Sequence, residues 1–345
     1  MKDLKFKSVL LYTISLTVAL GLMWYIFRDL DFSVVLSKLK QLNYGWIALS
    51  VIIAISSHYA RAYRWNLLLQ PLGFQLKTWR TFLAVMSMYF VNLILPRMGE
   101  VSRCGVLKRT DKVPVTASLG TVVVERLVDF LALLFLLTIV LVAEFGRLKS
   151  YLLAAFEHTF DKLQDNLNLL FLLAGLVVLG VLGIIFLFTS KRSFLRNNPI
   201  ILKVKSFLKD LSLGFTSIGK LQNKAGFWLS TLLIWAAYYL MAYFIIFAYP
   251  PTVGLSMWAG LSILVMGGLG MAAPVQGGLG TYHAMVSGIL ILYGISEQDG
   301  IIFATIMHSA QTLMVLILGG ICLLLSLLIS PKEKEESQTK QIAKA

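Results

Sequence analysis

Long apolar runs, separated by short polar segments, dominate the chain. Six runs are long enough to predict complete membrane-spanning helices, because about 20 residues at roughly 1.5 Å per residue cross a hydrocarbon core of about 30 Å. These runs cover residues 9–27, 45–59 (or as far as 69), 117–142, 167–188, 227–248 and 301–329. The hydrophobic pattern therefore predicts an all-α integral membrane protein.

Two further apolar regions are interrupted by proline and glycine. The first covers residues 79–95 and 100–108 with a break at 96–99, and the second covers 256–271 and 281–292 with a break at 272–280. Proline cannot continue a helical hydrogen-bond ladder, and glycine permits the turn that follows. Because irregular backbone at membrane depth must be covered by protein or water, each region is interpreted as a re-entrant helical hairpin.

The distribution of basic residues supports this topology. With both hairpins re-entrant and the N-terminus in the cytoplasm, 24 of the 31 Lys and Arg fall on the inner side and six on the outer side. If both hairpins crossed completely, 14 would lie inside and 16 outside, which ignores the positive-inside rule. We therefore expect a multi-pass protein of the bacterial inner (plasma) membrane with both termini in the cytoplasm.

The order of the predicted elements repeats. Each half contains a span, an amphipathic segment, a span, a hairpin and a span, and the amphipathic segments are residues 32–42 and 200–215. The first half starts inside and the second outside, so residues 1–330 are interpreted as one membrane domain of inverted repeats, about 1–143 and 166–330, before a charged cytoplasmic tail at 331–345. Paired broken helices in inverted halves are typical of transporter substrate sites. The alternative is two unrelated kinks in a structural bundle.

The composition excludes several classes of protein. The chain is 58% hydrophobic and 14% charged, whereas a soluble domain is usually about 25% charged. The net charge of +14 lies beside predicted spans, where it suits anionic headgroups rather than nucleic acid. Two cysteines offer neither a disulfide framework nor a metal cluster. No metal or cofactor is predicted, and the poor match to enzyme motifs argues against an enzyme.

The first hairpin carries the richest chemistry. Charges inside a membrane cost roughly 2.5–3.5 kcal/mol each on insertion scales, and residues 97–103 include Arg97, Glu100 and Arg103. Arginine forks and a helix N-terminus near Gly99 both favour a phosphate. One interpretation is that Arg97 and Arg103 hold a lipid phosphate while Glu100 orients one of them. The other is that the arginines pair with Glu100 or Glu125, or reach the cytoplasmic surface.

Two neighbouring clusters extend this candidate site. Glu125, Arg126 and Asp129 lie in the third span, where Arg126 and Asp129 are spaced to pair locally. Their surplus carboxylate either counters the hairpin arginines, or carries a proton, or belongs to a structural network. Arg61 and Arg64 end the second span and either feed a headgroup towards the hairpin or anchor the helix, which is the role expected of the adjacent Trp65.

The second hairpin contains a glycine-rich turn. Gly277, Gly278 and Gly280 allow backbone to approach a ligand, and Thr281 adds a hydroxyl. The Lys-Ser/Thr of a nucleotide-binding P-loop does not follow these glycines. His283 and His308 are interpreted either as a proton relay or as ordinary hydrogen-bonding residues between helices.

The motifs together resemble the membrane domain of the lysylphosphatidylglycerol synthase/flippase (multiple peptide resistance factor) family. The likeness rests on residues 92–103, Glu125-Arg126 with Asp129, residues 274–280 and Arg61-x-x-Arg64-Trp65, and it covers nearly the whole chain. It implies a flippase-type domain in which Arg97, Glu100, Arg103, Glu125, Arg126 and Asp129 are functional. It also implies a stand-alone form, because the synthase domain is missing.

Two departures from the family pattern concern the site. Arg97 directly follows Pro96, and His283 stands where many relatives have glutamate. They leave open which lipid is bound and which ion, if any, is coupled to its movement.

The predicted function is a flippase that moves an anionic phospholipid, an aminoacylated phosphatidylglycerol or a polyprenyl-phosphate-linked lipid between leaflets. Two alternatives stay open: a membrane enzyme of lipid-linked sugar metabolism, and a non-transporting scaffold for a lipid-synthesis partner. The expected partners are an anionic membrane lipid and a lipid-synthesis enzyme.

Overall fold

The computed structural model describes residues 20–28, 32–95, 98–147, 221–273 and 275–329, together with residues 13, 16, 17, 149 and 219. Within these residues the backbone forms helices and turns, without a strand. Several predicted features lie outside the described residues: the span at 167–188, the amphipathic segment at 200–215, the tail, Pro96, Arg97 and Pro274. Only part of the predicted first span, residues 9–27, is described.

After a helical segment at residues 20–27, the described helices follow in chain order with short connections, except between α5 and α6, where most of the chain lies outside the described residues. Their bounds are α1 Phe32–Leu39, α2 Tyr44–Leu69, α3 Thr78–Ile94, α4 Gly99–Asp111, α5 Val115–Ala143, α6 Lys224–Ile246, α7 Met257–Ala272, α8 Thr281–Ile291, α9 Glu297–Met314 and α10 Gly320–Leu328. A π-helical turn, Val315–Gly319, joins α9 to α10 without a break. Short 3₁₀ turns follow α2, α6 and α7.

Three of the described helices are long and apolar enough to cross a membrane. They are Val115–Ala143, Lys224–Ile246 and the continuous helix Glu297–Leu328. Large apolar side chains on them point away from the protein, such as Phe135, which is 66% exposed, and Leu324, which is 63% exposed. Such outward apolar surface suits lipid contact, so these three runs confirm the all-helical prediction and are candidate membrane spans.

Helix α2 contains the predicted run at 45–59 and continues through the extension towards residue 69. Its second half buries several polar and charged side chains. The buried polar residues of α2 are Ser50, Ser57, His58, Arg61, Arg64 and Asn66. This helix therefore faces the protein interior over its C-terminal half.

Helices α3 and α4 form an antiparallel hairpin at the predicted first break. Arg80, near the start of α3, pairs with Asp111 at the end of α4 at 3.3 Å. At the turn, the N–H of Gly99 donates to Oδ1 of Asn92 at 2.8 Å. A Cβ atom on Gly99 would lie 2.3 Å from the Met88 carbonyl oxygen, so the close approach of the two helices requires glycine.

Helices α7 and α8 form a second antiparallel hairpin. The Ser262 and Tyr293 hydroxyls lie 2.8 Å apart at its open end, and Thr281 donates to the Gly270 carbonyl at 2.8 Å near its turn. The connecting turn has positive φ at Gly277 (58°), Gly278 (70°) and Gly280 (80°). Those values favour glycine at each position, so the glycine-rich motif shapes the turn.

The turns of the two hairpins meet. Gln276, in the second turn, donates from Nε2 to the carbonyls of Leu93 at 3.2 Å and Ile94 at 3.0 Å, at the end of α3. These carbonyls belong to the last helical turn, which has no intrahelical donors. One side chain thus joins two regions that lie more than 180 residues apart in sequence. The structure confirms helical hairpins at both breaks, and their re-entrant placement in the bilayer stays a prediction.

The amphipathic segment predicted at 32–42 contains helix α1. Val35 and Leu39 pack against a buried cluster that includes Ile302 and Phe303 of α9. Lys38, three residues after Val35 and on the same side of α1, forms an ion pair with Asp299 in the first turn of α9. Charge and apolar contact therefore both hold α1 against α9.

Contacts within the chain divide it into two compact units. One comprises residues 1–140 and 218–345, and the other comprises residues 141–217. All the helices above belong to the first unit, except for the last residues of α5. The predicted inverted repeats at 1–143 and 166–330 stay a prediction.

Candidate functional site

Five charged side chains from three helices meet inside the protein. Arg61 and Arg64 come from α2, Arg103 from α4, and Glu125 and Asp129 from α5. Arg61, Arg64, Arg103 and Glu125 are at most 3% exposed, and the Asp129 side chain is 12% exposed. We call these five residues the charge cluster.

The spacing of these residues places them on matching helix faces. Arg61 and Arg64 are three residues apart, and Glu125 and Asp129 are four apart, so each pair occupies one side of its helix. Arg61 Nη1 lies 2.5 Å from Glu125 Oε1 and 2.7 Å from Asp129 Oδ2. Arg64 Nη2 lies 2.7 Å from Asp129 Oδ1 and 3.6 Å from Glu125 Oε1. The two carboxylates are thus shared between two arginines.

Arg103 completes the cluster from the first hairpin. Its Nη1 lies 3.1 Å from Glu125 Oε2, and its guanidinium carbon lies 4.4 Å from the centre of the Trp65 ring. Trp65 is fully buried, and its indole Nε1 donates to Thr121 Oγ1 at 2.8 Å. The prediction that Trp65 anchors α2 at the membrane interface is therefore wrong, because the ring is buried and packs against the Arg103 guanidinium.

A second ion pair lies at the edge of the charge cluster. Arg126 Nη2 is 3.1 Å from Glu100 Oε1, with the two side chains 41% and 28% exposed. Asn92, at the end of α3, approaches the same carboxylate, with Nδ2 3.5 Å from Glu100 Oε2. The predicted local pairing of Arg126 with Asp129 is not the one formed. Arg126 pairs with Glu100 of α4, and Asp129 pairs with Arg61 and Arg64 of α2. We call Arg126 and Glu100 the rim pair.

The charge balance of this region is positive. The cluster contains three arginines and two carboxylates, and the rim pair adds one charge of each sign. Buried nitrogens of the cluster have no protein hydrogen-bond partner among the described residues: Nε of Arg61 and Arg64, and Nε and Nη2 of Arg103. Because an uncompensated buried cation is costly, the site is suited to receive an anion. Arg97 lies outside the described residues, so its predicted role stays a prediction.

Two polar partners of the cluster on α6, and one histidine near it, were not identified from the sequence. Arg61 Nη2 donates to the Tyr238 hydroxyl at 2.9 Å, and Arg64 Nη1 donates to Thr231 Oγ1 at 3.3 Å; both partners lie on α6. His58, one turn before Arg61, lies with its ring 4.4 Å from that of Tyr89 on α3. No local pattern marks these residues, because α6 follows α2 more than 150 residues later and carries no charge in this region.

The candidate residues of the second hairpin divide into two groups. The Gly277, Gly278 and Gly280 backbone and the Thr281 hydroxyl are used in the turn itself, where Thr281 donates to the Gly270 and Gly278 carbonyls at 2.8 and 3.2 Å. His283 instead faces His308 of α9, with ring centres 5.1 Å apart. The part of the chain that the structure describes contains no group of three or more His, Cys, Asp or Glu suited to a metal ion.

The outward-facing apolar helices and the charges gathered inside them define a multi-pass, all-helical membrane protein. Residues 12–319 match the family described as Lysylphosphatidylglycerol synthase TM region, and the chain belongs to that family. The chain is also similar to a UPF0104 membrane protein of Methanocaldococcus jannaschii, with 31% identity over 132 residues. That match covers 37% of this chain and spans 38% of the length of the curated relative. No solved structure matches the chain.

Proposed function

We propose that this protein moves an anionic lipid between the two leaflets of the membrane, with the lipid phosphate held by the charge cluster. The single observation that carries this proposal is the buried excess of arginine over carboxylate in the cluster. A phosphate of one negative charge would balance that excess. Arginine donors that lack protein partners match phosphate oxygens in geometry as well as in charge.

The rim pair supplies a route into the cluster. Arg126 and Glu100 are partly exposed, whereas Arg64, Arg103 and Glu125 are fully buried. An arriving phosphate would replace Glu100 on Arg126 and then contact the cluster arginines. Because one anion replaces another, the exchange keeps the arginine paired throughout, which lowers the cost of moving charge through an apolar region.

The hairpins supply elements that could move. Both are built from two short helices, and their turns are joined through Gln276. In transporters with inverted repeats, the substrate site lies between paired broken helices, and one repeat rocks against the other. We propose the same arrangement here, with six spans, two re-entrant hairpins and residues 1–330 as one domain. Both termini would then face the cytoplasm of a bacterial cell, and the acyl tails would stay in lipid.

The test measures lipid movement in liposomes that contain the purified protein. The probes are fluorescent phosphatidylglycerol, aminoacylated phosphatidylglycerol, a polyprenyl phosphate and, as a zwitterionic control, phosphatidylcholine. Arg126→Gln removes an arginine at the rim, where substitution leaves the buried network intact. We expect movement of one phosphate-bearing probe to fall roughly tenfold or more, which corresponds to the loss of one charge-assisted hydrogen bond.

Arg147→Gln is the matched control. Arg147 is 51% exposed and pairs with Glu144 within one helical turn, so its loss should leave the rate unchanged. An Arg126→Gln protein that folds normally and transports at the wild-type rate would remove the rim from the proposed site. If the folded wild-type protein moves none of the probes, a membrane enzyme or a scaffold for a lipid-synthesis partner becomes the better explanation. Sugar-nucleotide binding and a co-purifying enzyme, respectively, would identify them.

A further inference from the structure

Two imidazoles face each other where the start of α8, in the second hairpin, packs against α9. His283 is the third residue of α8, and His308 lies in the middle of α9. Their ring centres are 5.1 Å apart with an angle of 49° between the planes. Both residues are buried, at 2% and 9% exposure, and Nδ1 of His283 has no hydrogen-bond partner among the described residues.

The surroundings of this pair are aromatic and apolar. The Tyr282 ring lies 5.0 Å from that of His308, and Phe27, in the segment before α1, packs edge-on against His283 at 5.7 Å. Ala304 and Met307, beside His308 on α9, belong to the same buried cluster as Tyr282. The two imidazoles thus lie in a protein-lined apolar site rather than at a lipid or water surface.

The titratable groups on the neighbouring elements are few. Helix α7 carries none, and on α8 they are Tyr282 and His283. The 20–28 segment carries Tyr25 and Arg28, and the Arg28 guanidinium lies over the Trp24 and Tyr25 rings. On α9, Asp299 is paired with Lys38 and receives a hydrogen bond from Tyr249, about 13 Å along the helix from His308. Of the basic side chains on these elements, His283 and His308 are the two whose rings face each other.

This arrangement has two states that differ by one proton. With both rings neutral, the pair fits the apolar site without a charge. An added proton creates an imidazolium that the second imidazole can share, yet the charge also meets the positive N-terminal end of α8, which disfavours a cation. When that charge resides on His308 of α9, a shift of α8 away from α9 separates it from the positive helix end.

A shift of α8 would reach the rim pair. The turn before α8 contains Gly280, whose Cα is so close to Leu22 that a Cβ would lie 2.4 Å from the Leu22 Cβ. The same turn carries Gln276, which holds the end of α3 through Leu93 and Ile94. Asn92, one residue earlier, contacts Glu100 of the rim pair. The His pair is thus connected to the rim through a short chain of direct contacts.

We propose that His283 and His308 form a binding site for one proton, and that this proton is the ion coupled to lipid movement. The inference rests on the proposed lipid transport, and it names the driving ion of that same process. The proton arrives from water on one side of the membrane and binds a free ring nitrogen of the pair. The proton leaves to water on the other side of the membrane when the second hairpin returns to its first position. No other reactant is required.

The first measurement reads the proton site without any transport. Side-chain ¹⁵N signals of labelled histidines are followed from pH 4 to pH 8 in lipid nanodiscs, with His283→Gln and His308→Gln used to assign them. We expect the two imidazoles to titrate as a coupled pair, so that His308→Gln changes the titration midpoint of His283 by about one pH unit or more. Tyr282→Phe keeps the ring and should leave both midpoints unchanged. An unaltered His283 midpoint in the His308→Gln protein would overturn the shared-proton site.

The second measurement tests the coupling. Liposomes with a difference of two pH units across the membrane are compared with liposomes at equal pH, for the lipid that the wild-type protein moves. We expect the gradient to change the initial rate several-fold in wild type and in Tyr282→Phe, and to have no effect in His283→Gln or His308→Gln. Stimulation that persists in both histidine variants would contradict the proposal. If no lipid moves in wild type, the transport function fails, while the titration still decides whether the proton site exists.

Discussion

The Arg103 guanidinium of α4 lies 3.1 Å from the Glu125 carboxylate of α5, and neither side chain is exposed. This contact joins the first hairpin to a membrane-spanning helix through a buried ion pair. Glu125 is also shared by Arg61 and Arg64 of α2. A single carboxylate thus organises three arginines from two helices, and most of the proposed phosphate site depends on it.

Glu125→Gln should destabilise the protein strongly. The substitution keeps the shape of the side chain and removes its charge, which leaves three buried arginines with one carboxylate. Removing one member of a buried ion pair costs about 3–5 kcal/mol. Thermal unfolding in detergent measures the effect. Glu144→Gln is the control, because it removes an ion pair in which the Arg147 side chain is 51% exposed. Equal melting temperatures for the two variants would show that Glu125 does not stabilise the cluster.

Gln276→Leu should loosen the contact between the two hairpins. The variant keeps an apolar side chain of similar size and removes both hydrogen bonds to the end of α3. These hydrogen bonds are partly buried, so their loss should cost about 1 kcal/mol, and hydrogen exchange of the α3 C-terminus should become faster. Gln222, an exposed residue before α6, provides the control substitution Gln222→Leu. Unchanged exchange at Leu93 and Ile94 would mean that the hairpins are held together by other contacts.

Gly280→Ala and Gly120→Ala should have opposite effects on stability. At Gly280, φ is 80° and a Cβ would lie 2.4 Å from the Leu22 Cβ, so alanine is strained by both backbone and packing, at a cost of more than about 1 kcal/mol. Gly120 is helical and a Cβ there meets nothing within 4 Å, so alanine should stabilise α5 by roughly 0.5–1 kcal/mol. Melting temperatures of the two variants that fall on the same side of the wild-type value would contradict this account.

Asp299→Asn should release α1 from α9. Asp299 accepts hydrogen bonds from Tyr249 at 2.5 Å and Ser296 at 2.8 Å, in addition to its ion pair with Lys38. Burial, and then the Asp299 hydrogen bond and charge, raise the pKa of the Tyr249 phenol; in the Asn variant, that pKa should move back towards its ordinary value. Loss of this partly buried pair should cost about 1–3 kcal/mol.

Glu297→Gln provides the comparison for Asp299→Asn at the same helix end. Glu297 is exposed and lies in the same first turn, so its loss removes only a favourable interaction with the helix dipole. Proteolysis of the segment around α1 and ultraviolet titration of tyrosine measure the two consequences. Identical proteolysis rates for the two variants would show that the Asp299 network does not hold α1.

The hairpins illustrate what local sequence could reveal. The breaks after residues 95 and 271 were visible because proline and glycine act on their own neighbours in the chain. The start of α4 at Gly99 and the positive φ values in the second turn follow directly from those residues. In contrast, the contact of Gln276 with Leu93 was invisible, because it is made by one amide side chain in an otherwise unremarkable position.

Trp65 shows where local reasoning failed. Tryptophan beside arginine at a predicted helix end is typical of an interface anchor. That interpretation placed residues 61–65 at the end of the second span and so at the membrane surface, whereas α2 continues to Leu69 and Trp65 is buried in the protein. The ring is buried under Arg103 because two other helices cover it, and a pattern along one helix cannot show that cover.

The sequence by itself determined the class of protein and, among the described residues, the positions of the apolar helices and breaks and the charged residues that lie within them. These properties depend on hydropathy, on backbone chemistry and on local spacing, which act along the chain. Only the tertiary structure decided that Arg103 pairs with Glu125, that Asp129 serves Arg61 and Arg64, and that His283 faces His308. Those pairings depend on which helix faces meet, because a charge in an apolar interior is stabilised by its neighbours in space, whatever their distance in sequence.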